Sequence, residues 1–258
     1  LRNPTEVFRQ TIDSLAAQTN KNFSILISDN FSTSGLEQLD SAMYKLSCAN
    51  LACRIINPPR ELGRVEHWNW LHHESRSDWL KPLFLGDTLF PGAIGSYFQT
   101  ADGYPERRFI YSPYVYACDG QAERTIGNNW SGWNSPARMQ EIVGKYGMQF
   151  GPPSGVMFRR DLFVGLGGFS PGLPICADSL LFCRMACRAG GFGLSEPLFR
   201  FHIHKARFSS SLPQKRWQTF RENVNYRSCL LYHAWTEGRP LYLGHFAKAI
   251  MAELKSAL

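Results

Sequence analysis

The sequence predicts an α/β fold in which a mostly parallel β-sheet is flanked by helices. Its 258 residues suit one large domain, or one domain with a small addition. A hydrophobic content of 44%, including 14% aromatic residues, is ample for a buried core. Segments with helical spacing of apolar residues alternate with short apolar runs, and this alternation is typical of a parallel, doubly wound sheet.

The first half of the chain shows this alternation most clearly. A helix is predicted within 3–20, because Phe8, Ile12 and Leu15 share one helical face. A short apolar strand is predicted next, over 22–30. The predicted elements that follow are a helix within 32–50, a strand at 51–59, a helix at 63–77, a strand at 79–87 and a helix at 92–100.

The second half of the chain is less regular. Residues 119–150 are rich in Gly, Asn and Trp and are interpreted as an irregular insertion. A helical pattern returns from residue 213 to the end of the sequence. The other predicted elements are a strand at 108–117, a strand and short helix at 154–169, a helix at 177–190 and a strand at 194–204.

The net charge indicates which classes of partner are favoured, and the cysteine content indicates the redox state of the compartment. The formal charge is +7, from 28 basic and 21 acidic residues, which favours anionic partners such as phosphates, nucleotides, nucleic acid or an anionic membrane surface. The basic residues are scattered, however, which equally fits a solvated surface. Seven cysteines without paired CxxC spacing favour thiols in a reducing compartment. No run of 18 apolar residues occurs, so no membrane-spanning helix is predicted.

Three aspartates stand where an α/β protein binds ligands or begins a helix. Asp29 follows the apolar run SILIS, and Asp87 follows PLFLG. Ligands of open α/β sheets bind at the carboxyl ends of strands, where a carboxylate can accept from a base or ribose or hold a divalent cation against a diphosphate. The alternative for Asp29 is a turn or helix N-cap residue, and for Asp87 a cap before the next helix. Asp178, in ICADSLLF, also fits a helix N-cap.

Four blocks of sequence, in order between residues 3 and 211, resemble family-2 glycosyltransferases. The first two are TIDSLAAQTNKNFSILISDNFSTSG and LGRVEHWNWLHHESRSDWLKPLFLGDTLFPGAI. The others are PPSGVMFRRDLFVGLGGFSPGLPICADSLLFCRMACRAGG and SEPLFRFHIHKARFSSS. The resemblance implies the A-type glycosyltransferase fold over residues 1–211, followed by a C-terminal helical extension over 212–258. It also implies that the family's first strand lies before residue 1.

The resemblance implies an activity as well. The expected reaction moves one sugar from a nucleotide-sugar donor to a hydroxyl of a polysaccharide or lipid-linked acceptor, with inversion at the anomeric carbon. The expected process is cell-surface polysaccharide biosynthesis, and the expected place is the cytoplasm, with a peripheral contact to the inner face of the cytoplasmic membrane left open. No nucleic-acid partner is expected.

The same resemblance implies roles for particular residues. Asp178 corresponds to the general base that takes the proton of the acceptor hydroxyl, and Asp87 to the acidic motif that binds Mn²⁺ or Mg²⁺. His202 and His204 alternate along a predicted strand and so share one face, where one of them could be a metal ligand or diphosphate contact; a structural role is the alternative. Position and composition suggest an acceptor-binding role for Trp130 and Trp133. The nucleotide is expected to contact Asp29, Asn30, Ser32, Arg64 and Asn69.

Two departures from the family pattern keep rival functions open. The metal motif normally carries two or three acids, whereas Leu85 and Gly86 precede Asp87 here. Ala177 precedes Asp178, where the family usually has Glu. A catalytically degenerate nucleotide-sugar binder or scaffold is therefore the first rival. A basic nucleic-acid-binding domain is the second, and the lack of a concentrated basic stripe disfavours it.

Overall fold

The computed structural model describes residues 1–104, 106–118, 121–127, 129–203 and 216–236, together with residues 238, 247, 248 and 251. The predicted α/β class is confirmed. The helices are α1 Glu6–Ala16, α2 Leu36–Cys48, α3 Arg64–Glu74, α4 Ala93–Asp102, α5 Pro136–Tyr146, α6 Arg160–Gly165, α7 Ala177–Ala189 and α8 Arg216–Thr236. The strands are β1 Ser24–Ser28, β2 Ala52–Ile56, β3 Trp79–Leu80, β4 Thr88–Leu89, β5 Phe109–Tyr111, β6 Tyr114–Cys118, β7 Arg124–Ile126, β8 Gly132–Asn134, β9 Val156–Arg159, β10 Gly191–Gly193 and β11 Phe199–Ile203.

The strands form three hydrogen-bonded sheets, and the pairing is more mixed than the expected mostly parallel sheet. Their orders are β1-β2, β3-β9-β5-β10-β8 and β4-β11-β6-β7. Within the described ranges, the parallel pairs are β1–β2, β5–β10 and β6–β11, and the other five pairs are antiparallel. The antiparallel pairs arise because β4, β7, β8 and β9 run against their neighbours. A strand's own apolar pattern does not specify its partner, so the sequence could not predict this.

Two hydrophobic clusters pack on opposite faces of the central sheet. Successive side chains of a strand point to opposite faces, and β5 shows this directly: Phe109 and Tyr111 belong to one cluster, while Ile110 belongs to the other. The first cluster includes residues of α5, α6, α7 and α8, and the second includes residues of α1, α2 and α4. The helices therefore cover both faces, as in the predicted layered architecture.

The stretch interpreted as an irregular insertion contains a helix, and that interpretation is wrong for 136–146. α5 begins with Pro136 in its first turn, and the Ser135 hydroxyl accepts the Arg138 backbone N–H at 3.3 Å as an N-cap. Met139 and Ile142 then lie on the buried face. The N-cap signal and this i, i+3 spacing were present in the sequence but were outweighed by the surrounding Gly, Asn and Trp residues.

The last described helix shares the main core. Tyr226 and Leu230 of α8 are each 3% exposed and belong to the same cluster as the apolar face of α7. The predicted C-terminal extension therefore packs against the predicted catalytic domain. None of the helices in the described part of the chain combines the length and hydropathy that crossing a bilayer requires.

Candidate active site

The carboxyl ends of β1 and β2, which are parallel neighbours, carry the first group of predicted site residues. Asp29 directly follows β1 and is 5% exposed. Its carboxylate accepts from Ser32 N at 3.2 Å, from the Ser32 hydroxyl, and from Asn57 Nδ2 at 3.3 Å. Asp29 thus organises a turn, which is the alternative role that the sequence suggested for it. A carboxylate has about four lone-pair positions, so these contacts do not exhaust its capacity to accept from a nucleoside.

Asn30 is engaged within the protein. Its Nδ2 donates to Leu62 O at 2.8 Å, and its Oδ1 accepts from Leu62 N at 3.0 Å. This reciprocal pair ties the loop after β2 to the end of β1. The Ser32 hydroxyl, beside it, accepts from Asn3 N at 2.7 Å. Both residues shape the rim around Asp29, and their contact with a nucleotide stays a prediction.

His67 of α3 was not among the predicted site residues, yet it lies against the same strand end. Its Nε2 is 2.5 Å from the Ser28 hydroxyl, and the residue is buried. Burial lowers the pKa of His67 to about 4, although the negative charge of Asp29 acts to raise it. The imidazole is therefore neutral at pH 7 and links α3 to the end of β1. A histidine within an aromatic-rich helix gave no sequence signal for this contact.

Asp87 is fully buried between three segments of the chain. Its Oδ2 accepts the Ser154 hydroxyl at 2.6 Å, and its backbone oxygen accepts the Thr11 hydroxyl at 3.0 Å. The Lys81 ammonium donates to Ser154 O and lies 4.9 Å over the Tyr97 ring. Burial lowers the pKa of Lys81 to about 7, although the negative charge of Asp87 acts to raise it. Asp87 thus joins α1, the loop after β3 and the turn before β9.

The described residues do not by themselves fit a divalent cation. Mg²⁺ and Mn²⁺ favour octahedral oxygen sites, usually with one or two carboxylates. No group of three or more His, Cys, Asp or Glu side chains placed to hold a metal occurs within the described ranges. Asp87 is a single buried carboxylate with one oxygen already bound to Ser154. His202 lies on β11 opposite Ala117 of β6, whereas His204 is outside the described residues.

Asp178 is the second residue of α7, and Arg64 is the first residue of α3. The Asp178 Oδ1 accepts the Ser179 backbone N–H at 2.8 Å. Burial raises the pKa of Asp178, while the Ser179 N–H and the charge of Arg64 act in the opposite direction. The Arg64 guanidinium itself lies 4.8 Å from the centre of the Trp68 ring. The helix N-cap is Cys176, so Asp178 is a first-turn residue and not the cap that the sequence alternative proposed.

Asn69, also on α3, holds the loop that leads to α7. Its Nδ2 donates to Phe169 O and its Oδ1 accepts from Phe169 N, both at 2.8 Å. Gly168 fits beneath this pair, since a Cβ there would lie 2.6 Å from the Asn69 Oδ1. α3 therefore brings Arg64 to Asp178 and anchors the preceding loop through Asn69. The predicted contact of Asn69 with the nucleotide stays a prediction.

The two tryptophans predicted to bind the acceptor lie in different places. Trp133 is 42% exposed on β8 and packs on Gly190, twelve residues and about 18 Å along α7 from Asp178. The ring centre of Trp130 instead lies 5.4 Å from that of Tyr146, at the end of α5. A Cβ on the next residue, Gly147, would meet the Tyr226 hydroxyl of α8 at 3.0 Å. The two tryptophans thus have different neighbours, and their contact with the acceptor stays a prediction.

Comparison with known proteins identifies similar sequences and folds. The family model described as Glycosyl transferase family 2 matches residues 2–167, more than half of the chain. No curated protein matches the chain.

Among solved structures, the chain is similar to S. aureus TarS 1-349 in complex with UDP, with a TM-score of 0.61, 11% identity, and coverage of 91% of this chain and 70% of that one. It is also similar to the mannosyltransferase PcManGT from Pyrobaculum calidifontis in complex with GDP-Man and Mn²⁺, with a TM-score of 0.60, 13% identity, and coverage of 90% and 62%. A third is GalNAc-T7 with UDP, GalNAc and Mn²⁺, with a TM-score of 0.53, 14% identity, and coverage of 76% and 40%.

Proposed function

The chain belongs to glycosyl transferase family 2 and has the A-type glycosyltransferase fold, and from this premise we propose its reaction. The enzyme moves one sugar from a nucleotide-sugar donor to a hydroxyl of a polysaccharide or lipid-linked acceptor, with inversion at the anomeric carbon. The process is the biosynthesis of cell-surface polysaccharide. The observation that carries this proposal is the carboxylate of Asp178 in the first turn of α7, where the charge of Arg64 acts on it.

Asp178 acts as the general base. A sugar hydroxyl is a weak nucleophile until a base accepts its proton. As the hydroxyl oxygen attacks the anomeric carbon, the proton passes to the Asp178 carboxylate. The bond between the anomeric carbon and the diphosphate oxygen breaks, and the nucleoside diphosphate leaves with the electron pair. The pKa of Asp178 is raised by its burial, which makes the carboxylate a stronger base.

The donor lies between the end of β1 and the start of α3. Asp29 accepts a hydrogen bond from the nucleoside, and Arg64 supplies positive charge near the leaving diphosphate. Asp29 and His67 are buried at the end of β1, where Asp29 accepts from Ser32 and Asn57 and His67 bonds to Ser28, and this supports a shaped nucleoside pocket. TarS binds UDP and PcManGT binds GDP-Man in the similar structures; the base that this chain prefers is part of the test below.

Metal dependence remains a separate prediction. PcManGT and GalNAc-T7 are both similar structures that contain Mn²⁺. In this chain a single buried carboxylate, Asp87, occupies the position of the acidic motif. No step of the proposed reaction is therefore routed through a cation, and the presence or absence of Mn²⁺ becomes a variable in the experiment.

Aromatic residues and the net charge bear on the acceptor and on a membrane contact. Trp130 and the exposed Tyr146 form an aromatic pair next to α8, and we infer that a sugar ring of the acceptor stacks there. Trp133 is not part of this inference, because it packs on Gly190, at the opposite end of α7 from Asp178. The net charge of +7 fits a cytoplasmic enzyme that contacts an anionic membrane face. Flotation with anionic liposomes tests that contact, and a protein that stays at the bottom of the gradient contradicts it.

A thermal-shift screen tests the proposed donor site. The chain is heated with UDP-, GDP-, dTDP- and CMP-sugars, each with and without Mn²⁺. Ligands that bind the folded state raise the melting temperature, so at least one nucleotide is expected to give a shift. Asp29→Ala is expected to reduce that shift, whereas Asp40→Ala, a change at an exposed aspartate of α2, is the matched control. No shift with any nucleotide sugar would count against the reaction.

One observation favours a second candidate, a nucleotide-sugar-binding scaffold without turnover. The acidic motif is reduced to Asp87, which is fully buried and bonded to Ser154. A scaffold would bind the donor in the thermal-shift screen but release no nucleoside diphosphate. Its cellular role would also survive the Asp178→Asn substitution, whereas the role of an enzyme would not.

A further inference from the structure

The start of α7 has no cap from its own sequence. The N-cap residue is Cys176, and its side chain makes no capping hydrogen bond to the helix. The first backbone N–H groups of any helix lack partners within the helix and need acceptors from elsewhere. Asp178 lies in the first turn of α7. The position of its carboxylate therefore depends on the position of the backbone that enters the helix.

A carboxylate from α8 binds the backbone at this point. Glu222 is 3% exposed, and its Oε2 accepts from Ile175 N at 2.6 Å and from Cys176 N at 3.2 Å. Its Oε1 accepts from Gln218 Nε2 at 3.1 Å. A neighbouring contact, from Cys176 Sγ to Asn223 Oδ1 at 3.3 Å, adds a second link between α8 and the same segment. Residues 175 and 176 are thus fixed immediately before Asp178.

Charge as well as hydrogen bonding connects Glu222 to the site. Burial lowers the pKa of Arg64, while the charges of Asp178 and Glu222 both raise it. The guanidinium of α3 therefore interacts with both carboxylates, one from α7 and one from α8. Burying a carboxylate is costly unless it is hydrogen-bonded and its charge is compensated, and Glu222 has hydrogen bonds to Ile175 and Cys176 and an attractive interaction with Arg64.

We propose that Glu222 is a positioning residue for Asp178: its carboxylate holds the backbone of Ile175 and Cys176, and so sets where the Asp178 carboxylate meets the acceptor hydroxyl. The role of Asp178 in this statement rests on the proposed function. Glu222 itself touches neither donor nor acceptor. Both Glu222 and Asp178 lie beyond residues 2–167, which the family model matches.

Hydrogen–deuterium exchange tests the positioning contact without any substrate. In Glu222→Ala, the peptide that covers residues 173–179 is expected to exchange faster than in the unmodified protein, because the Ile175 and Cys176 N–H groups lose their acceptor. Glu222→Gln keeps an acceptor oxygen and is expected to restore slow exchange. Arg221→Ala, at an exposed neighbour on α8, is the matched control. Unchanged exchange of this peptide in Glu222→Ala overturns the inference.

Kinetics separate positioning from general stability. The readout is release of nucleoside diphosphate from UDP-GlcNAc and from GDP-mannose. Glu222→Asp, which retracts the carboxylate by one methylene, is expected to lower kcat about tenfold or more and to leave the donor KM within about twofold; Glu222→Gln is expected to recover most of kcat. Equal loss in the Asp and Gln variants, or a change confined to KM, overturns the inference.

The two arms also distinguish failure of the inference from failure of the proposed function. If the unmodified protein releases no nucleotide, the proposed reaction is wrong, and the exchange experiment still decides whether Glu222 fixes the start of α7. If Glu222→Ala does not fold, the Glu222→Asp and Glu222→Gln pair decides the question, because both keep a polar group of similar size.

Discussion

Two opposing influences act on the pKa of Asp178, and their balance determines how well the carboxylate can act as a base. Burial raises its pKa, whereas the Ser179 N–H at 2.8 Å and the charge of Arg64 stabilise the ionised form. A base works best when its pKa lies near the working pH and it is still ionised there. The charge of Arg64 therefore opposes the effect of burial on the pKa of the group that must accept the proton.

Replacing Asp178 with Asn removes the base but keeps the shape of the side chain. We expect release of nucleoside diphosphate to fall by about 10²- to 10⁴-fold, while the thermal shift given by the donor stays unchanged. Asp161→Asn, at a carboxylate of α6 whose side chain is 58% exposed, is the control and should keep full activity. Turnover of Asp178→Asn at more than about a third of the unmodified rate would rule out this role.

The pH dependence of kcat reports the same carboxylate. Activity requires the ionised form, so kcat should fall as the pH drops through the pKa of Asp178, which lies above the ordinary value of 3.8. Arg64 lowers that pKa, so Arg64→Met should move the acidic limb of the profile to higher pH. The profile is measured from about pH 4 to pH 8. Arg9→Met, at an exposed residue of α1, should leave the limb in place. A limb that moves to lower pH in Arg64→Met contradicts the account.

Ser154 and Asp87 form a buried hydrogen bond whose contribution can be measured. Ser154→Ala removes the hydroxyl that donates to Asp87 Oδ2 at 2.6 Å and accepts from Phe84 N at 3.0 Å. We expect the free energy of unfolding to fall by about 1–3 kcal/mol, as measured by urea denaturation. Ser96→Ala, on the exposed side of α4, should change it by less than about 0.5 kcal/mol. If the two substitutions lower the free energy of unfolding equally, the hydrogen bond between Ser154 and Asp87 does not have this stabilising role.

At the scale of elements, α3 organises both ends of the loop that leads to α7. Arg64 interacts with Asp178, and Asn69 holds Phe169 through two hydrogen bonds of 2.8 Å. Gly168 permits this approach, because it has a φ of +71° and leaves room for the Asn69 amide. The spacing of the two contacts along α3 therefore fixes the path of the chain toward the catalytic carboxylate.

Gly168→Ala tests that approach. The new Cβ would lie 2.6 Å from Asn69 Oδ1, on a backbone with positive φ. We expect the substitution to lower the free energy of unfolding by about 1–3 kcal/mol. Gly172→Ala is the control, because among the described residues only Ser170 Oγ comes within 4 Å of its Cβ position, at 3.9 Å. If calorimetry gives the same melting temperature for both variants, the close packing of α3 on this loop is not a stabilising feature.

The sequence predicted elements better than it predicted their contacts. The apolar spacing placed α1, α2 and α3 correctly because helical periodicity is local. It could not place the amide of Asn30 on Leu62 or that of Asn69 on Phe169, whose partners are 32 and 100 residues away. The family resemblance suggested that both asparagines bind the nucleotide. The structure shows that each also bonds to the backbone of a distant segment.

At the scale of the whole molecule, one sheet separates two cores, and the candidate site draws on both. Asp87 joins α1 to the turn before β9, whereas Asp178 is fixed by α3 and α8 on the other face. The order of the four sequence blocks predicted the family, because that order reflects the order of elements around the sheet. The contribution of Glu222 was hidden, since it pairs with residues 46 and 47 positions earlier.

The most direct test of the account is turnover of a nucleotide sugar. The unmodified protein and Asp178→Asn are incubated with UDP-, GDP-, dTDP- and CMP-sugars, with and without Mn²⁺, and the released nucleotide is quantified. The account predicts release from the sugars of one nucleoside by the unmodified protein, and loss of that release in Asp178→Asn with donor binding retained. Binding without release, or equal release by both proteins, would contradict it.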